Sequence, residues 1–206
     1  MYADGVVYKE RNTVALVQKP DESGLKILKE FQKAVKGDYE IIFHTQLSWG
    51  TETEIARYEI YSSKMVSDLI NKGCVPKKSL VLTFPDDSIV PQTLKHHFIR
   101  GYFDGDGSIT TGSHKYKIAD RYIHFSGTKE FLEGVRAFLS IKAKVIPDKR
   151  CLDRNIYCLG TGGNPNILRN FEILYKDATI YLDRKYERFL KLKQEYYDNK
   201  TNSLVC

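Results

Sequence analysis

Residues 98–109 read Phe-Ile-Arg-Gly-Tyr-Phe-Asp-Gly-Asp-Gly-Ser-Ile. An apolar helical run meets carboxylates flanked by glycines, and a strand-like segment follows at once. Gly105 and Gly107 are expected to let the backbone turn where a Cβ would resist. Asp104 and Asp106 are then held near a helix end, where a phosphate-bound metal ion can be shared. Gly101 has a different expected use. A mid-helix glycine costs roughly 1 kcal/mol against alanine, so its place here points to a close helix–helix approach.

Working outward, the chain reads as two halves with the same order of elements. Val6–Tyr8 and Thr13–Val17 are short and rich in β-formers, with a charged turn between them, which predicts a hairpin. Leu25, Leu28, Phe31 and Val35 mark one face of an amphipathic helix over 22–36, with Gly37 placed to end it. Strands are expected around 39–46 and 54–61, joined at Trp49-Gly50-Thr51, and then a helix over 65–71 stopped by Gly73. The order recurs with a helix over 92–104, a hairpin over 108–125 and a helix carrying Phe131, Val135, Phe138 and Leu139. Strands over 144–146 and 156–159, a helix on Ile167, Leu168, Phe171 and Leu174, and a last helix over 180–197 complete it. The fold class is α+β, two pseudo-symmetric αββαββα halves of which the first lacks its opening helix. Pro85 and Pro91 disfavour helix between them, so the halves are divided as residues 1–84 and 85–206.

Composition narrows the partners. The 206 residues hold 32 Lys plus Arg against 26 Asp plus Glu, a net charge of +6, which suits a polyanion as well as an ordinary basic protein. Cys74, Cys151, Cys158 and Cys206 form no CxxC pair, so a structural zinc site is not expected. No apolar run reaches the roughly 18 residues needed to cross a bilayer. With no signal peptide in view, the expected setting is intracellular, cytoplasmic or an organelle matrix, and not secreted.

The Asp-Gly-Asp-Gly run admits a bland reading as a helix stop with solvated acids. A calcium loop of the EF-hand type fails, because Ile109 stands where that loop needs glycine and Lys115 where it needs glutamate. Hard oxygen ligands without a Cys or His cluster favour Mg²⁺, with Mn²⁺ as the alternative. Paired carboxylates holding such ions activate water and stabilise a pentavalent phosphate, which is the chemistry of phosphodiester hydrolysis.

Residues 98–109 closely resemble the signature of the LAGLIDADG homing endonucleases, with Asp106 in place of the last acid of that motif. Met1-Tyr2-Ala3-Asp4-Gly5 resembles the tail of a second copy, with Asp4 as the equivalent acid. The resemblance implies a site-specific double-strand DNA endonuclease of the two-motif, monomeric type, whose acids each serve one strand. It implies metal held by Asp4 and Asp106, with backbone carbonyls of Ala3 and Gly105 assisting. Lys78 and Lys185 resemble the basic residues of the family's active centre, with Lys77 and Arg184 close enough to exchange roles. Gln18 stands where the family often keeps a water-orienting residue, and its second-half counterpart falls near Gly127.

Curved sheets laid along a long, near-asymmetric DNA site are implied too. Candidate contacts are Lys9, Arg11, Lys19, Gln46, Arg57 and Tyr58 in the first half, and Lys115, Lys117, Arg121, Arg150 and Arg154 in the second. One departure matters. Met1 stands inside the first motif, so the face around Ile99, Tyr102 and Phe103 is expected to be exposed unless something else covers it. A catalytically inactive nucleic-acid binder on the same fold, an RNA maturase or a transcription regulator, is the alternative.

Overall fold

The computed structural model describes residues 1–48, 50–110 and 122–202. The first half runs β1 (Gly5–Tyr8), β2 (Thr13–Gln18), α1 (Glu22–Ala34), β3 (Ile42–Ser48), β4 (Thr51–Tyr61) and α2 (Ser63–Asn71). The second runs α3 (Lys95–Asp106), β5 (Ser108–Thr110), β6 (Tyr122–Gly127), α4 (Lys129–Leu139), β7 (Ile146–Pro147), β8 (Tyr157–Gly162), α5 (Asn164–Leu174) and α6 (Asp183–Asn202). Each half builds one four-stranded antiparallel sheet, in the orders β1-β2-β4-β3 and β5-β6-β8-β7. The repeat expected from element order is thus a repeat of topology. Trp49 and residues 111–121, among them Lys115, Lys117 and Arg121, lie outside the described residues.

Local chemistry sets the helix starts. Asp21 accepts from the Gly24 N–H at 2.8 Å, Ser62 from Met65 and Thr128 from Phe131, both at 3.2 Å, each satisfying a donor the first helical turn leaves free. The end of α1 differs from expectation. Lys36 takes the left-handed conformation at φ 51°. Gly37 is instead required for space, since a Cβ there would stand 2.1 Å from the Tyr58 hydroxyl.

The glycines of the 98–109 stretch also exchange their expected roles. The helix runs through Asp106, so Gly105 is helical, and Gly107 is extended at φ −82°. Neither supplies a left-handed turn. A Cβ on Gly101 would meet nothing within 4 Å, whereas one on Gly105 would stand 2.3 Å from the Cβ of Ala3. The close approach is made at Gly105, because that is where the Met1–Gly5 segment crosses α3.

The larger core lies in the second half, where Ile99, Tyr102 and Phe103 pack with Phe125, Phe131, Leu159 and Phe171. All three of those α3 side chains are buried, against the exposure expected for them. They face the sheet of their own half, and the uncovered side of α3 is the Gly101 side. The first half has two smaller clusters, around Leu28 and Tyr58 and around Val14 and Val66. Tyr2 ties the halves together. Its ring meets Phe98 edge-on at 4.8 Å while its hydroxyl donates to the Lys72 carbonyl at the end of α2. Lys26 on α1 adds an ion pair to Asp183 on α6 at 2.8 Å. Among the described residues no helix is long and apolar enough to cross a membrane.

Candidate active site and nucleic-acid face

Asp4 immediately precedes β1 and Asp106 ends α3, so both acids sit where a chain segment turns into the first strand of a sheet. The Ala3–Gly105 contact brings the two segments together. The Oδ2 atom of Asp4 lies 3.0 Å from where a Cβ on Gly105 would stand. Crowding by protein atoms, and then the charge of Asp4, push the Asp106 carboxyl up to about 6, although the residue keeps an opening to solvent. A cation beside Asp106 would offset both of those effects on its carboxyl.

The lysines meet backbone rather than acid. Buried Lys78 donates to the carbonyls of Ala3 at 3.0 Å and Gly5 at 2.5 Å, on either side of Asp4. Lys185 does the equivalent around Asp106, donating to the carbonyls of Phe103, Asp104 and Gly107. Burial drives its amine down to about 8. Each ammonium therefore draws together the carbonyls beside an acid and places a positive charge under it. Lys77 adopts a left-handed backbone and Arg184 is exposed, so neither takes its neighbour's position.

Gln18, the last residue of β2, donates from Nε2 to Oδ2 of Asp4 at 2.5 Å. Asp104 is placed differently from the expectation that it joins Asp106 at a metal. It accepts from the Tyr175 hydroxyl at 2.7 Å and the Leu182 N–H at 3.2 Å, and burial raises its carboxyl above the usual range. Its neighbour Arg100 is buried and donates to the carbonyls of Leu174 and Ile180, both at 3.2 Å. Asp104 and Arg100 thus fasten α3 to the ends of α5 and to the start of α6.

The residues fit a divalent ion of the hard, oxygen-binding kind. Asp4 and Asp106 are the side chains that would hold it. Of the two carbonyls expected to help, that of Ala3 already accepts from Lys78. Among the described residues there is no cluster of three or more His, Cys, Asp or Glu placed to hold a metal ion.

Register sorts the candidate DNA contacts. Ile42, His44 and Gln46 lie opposite Arg57, Ile55 and Thr53, so Gln46 and Arg57 share the sheet face turned away from α1. Arg57 pairs with Glu59 and stacks over Tyr8, its guanidinium 5.2 Å from the ring centre. Tyr58 points the other way and is fully buried against Leu28 and Phe31, which removes it from the DNA-contact set. The strand's period of two puts it in the core, where a sequence without register cannot place it. Lys9 and Arg11 are exposed in the turn between β1 and β2, and Lys19 is exposed just after β2. In the second half Arg150 is exposed but held bidentate by Asp148, at 3.0 and 2.7 Å, and Arg154 is exposed beside Asp153.

Comparison with known proteins bears on the fold. A LAGLIDADG-like domain model matches residues 93–157. The whole two-sheet arrangement is shared with solved LAGLIDADG endonucleases. The chain is a LAGLIDADG-fold protein. The LAGLIDADG homing endonuclease I-GzeII in complex with its DNA target is 11% identical with a TM-score of 0.60, over 94% of this chain and 82% of that one. The I-LtrWI LAGLIDADG homing endonuclease bound to target DNA is 9% identical with a TM-score of 0.55, over 95% and 85%. Meganuclease I-SmaMI bound to uncleavable DNA is 12% identical with a TM-score of 0.56, over 97% and 88%. At such identities the likeness is one of fold. No curated protein sequence matches the chain.

Sequence reasoning missed two residues that shape this candidate site. Tyr2 lies inside the motif tail and fixes that tail against Phe98. Tyr102 donates to the Ser126 carbonyl at 2.7 Å, closing the end of β6 beside Asp106. An aromatic in the motif was the only available signal for either.

Proposed function

We propose that this protein is a site-specific double-strand DNA endonuclease of the homing type, acting as a monomer on a long, near-asymmetric site. The observation that carries the reading is the meeting of Asp4 and Asp106 at the Ala3–Gly105 contact, each acid ringed by a lysine bound to its flanking carbonyls. The two uncovered sheet faces give such a protein a surface for duplex DNA.

Mg²⁺ held between the acids would supply a Lewis acid and a lowered water pKa. The chain's own part follows from its geometry. Lys78 and Lys185 set positive charge beneath the acids, where negative charge grows on the phosphate. Gln18 orients the Asp4 carboxylate. Tyr2 and Ala3 hold the two acid-bearing segments at one spacing.

The alternative is a catalytically inactive nucleic-acid binder on the same fold, which would use the same sheet faces without cutting. The deciding experiment is Mg²⁺-dependent cleavage of a randomised DNA library, with Asp106→Asn alongside. Cutting that disappears in the variant and with EDTA supports the nuclease. Selective retention of DNA without cutting by either protein establishes the binder.

A further inference from the structure

One polar seam of α3 holds the connection between α5 and α6. His97, Arg100 and Asp104 follow at intervals of three and four residues, so they share one face of that helix. Buried Arg100 donates to the carbonyls of Leu174 and Ile180, and Asp104 accepts from the Tyr175 hydroxyl and the Leu182 N–H. The connection then enters α6, whose Lys185 donates to the carbonyls around Asp106. Arg100 also donates from Nη1 to Nδ1 of His97 at 2.5 Å. A guanidinium has donors only, so this bond exists only while Nδ1 of His97 keeps its lone pair. The His96 ring lies 3.9 Å from that of His97, its Nε2 buried and without a hydrogen-bond partner. Burial first, then Arg100 and His96 on the same helix, resist a charge on the His97 ring, against Asp177 in the connection. Together they hold its pKa below the ordinary 6.5.

We propose that the His97–Arg100 pair is an acid-sensitive latch, in which protonation of His97 expels the guanidinium, frees the 174–182 connection and withdraws Lys185 from beneath Asp106. Its consequence for cutting rests on the endonuclease reading; the latch itself does not. The bonded form is the neutral ring, which fixes the sign. The latch is complete above about pH 6.5 and is lost as pH falls below that value. Imidazolium and guanidinium then point N–H at N–H across a hydrogen-bond distance, and one of them has to move. His97 is on this account a positioning residue, acting on Lys185 through Arg100 and the connection.

The test is hydrogen exchange of the full chain at pH 7.5 and 5.5, corrected for the intrinsic pH dependence of amide exchange. The wild type is compared with His97→Gln, whose side-chain carbonyl still accepts from Arg100 but does not titrate. In the wild type, amides over 174–186 are expected to exchange at least about fivefold faster at the lower pH, with β2 unchanged. In the variant the two rates should agree within about twofold. Equal acid acceleration in both proteins overturns the proposal, as does a rise that spreads evenly to β2. A proton-NMR titration of the wild-type His97 ring is the second test, and a midpoint at or above 6.5 overturns the latch even where the variant does not fold. On a duplex recovered from the cleavage library, the wild type should lose at least about threefold more of its rate between pH 7.5 and 5.5 than the variant. A protein that cuts no duplex sinks the endonuclease reading, while the exchange result still decides the latch.

Discussion

The methyl group of Ala3 stands 2.3 Å from the point a Cβ on Gly105 would occupy, and this contact sets how closely the two acid-bearing segments approach. Backbone meets backbone there because neither residue has a side chain beyond Cβ. The two glycines of α3 consequently differ in what substitution does. Gly105→Ala forces the segments apart and is expected to cost about 1–3 kcal/mol by overpacking. Gly101→Ala meets open space and is expected to stabilise by up to about 1 kcal/mol. Urea denaturation of both variants checks this, and equal effects would sink the account of the contact.

Asp106 gives a pH signature. Its folded carboxyl is raised to about 6, above its unfolded value, so the protonated form is favoured in the fold. Stability from this group is present at acid pH and is lost as pH rises from about 4 through 6. Asp106→Asn should therefore be more stable than the wild type at pH 7.5, by about 1 kcal/mol after allowing for the solvent opening, or roughly 2–4 °C. Thermal melts across pH 3.5–7.5 should show that difference vanish at the acid end.

Lys185 predicts an alkaline limit. Its amine, pushed down to about 8 by burial, loses its proton as pH passes that value. Folding is helped rather than harmed between about 8 and 10.5, since the neutral amine suits the buried site better than water does. Cleavage is expected to fall above pH 8 while the melting temperature holds. A rate that keeps rising to pH 9.5 would remove Lys185 from the chemistry.

Asp104 and Asp106, two residues apart, are expected to fail differently. Asp104→Ala strips Tyr175 and Leu182 of their acceptor and should cost about 1–3 kcal/mol in stability. Asp106→Asn should leave the fold intact and abolish cutting. Paired circular-dichroism melts and cleavage assays separate the two.

Tyr58→Phe is expected to leave DNA affinity unchanged, since the side chain is buried under α1. Arg57→Gln, one residue earlier and on the open face, should weaken binding and reduce its salt dependence. A gel shift over a salt series decides between them.

The sequence by itself determined the element order and the αββαββα repeat, because hydrophobic period is a local property, and it pointed to Asp4 and Asp106 through the motif they resemble. It located Gln18 at a strand end and Gly127 as its counterpart for the same reason. Only the tertiary structure decided that Gly105 rather than Gly101 makes the close approach, that Asp104 braces α5 and α6, and that Tyr58 faces the core. Those outcomes depend on which surfaces meet across long stretches of chain, as Ala3 meets Gly105 and as Tyr175 meets Asp104, 71 residues away. Local spacing holds no record of that meeting, which the close packing of distant segments decides.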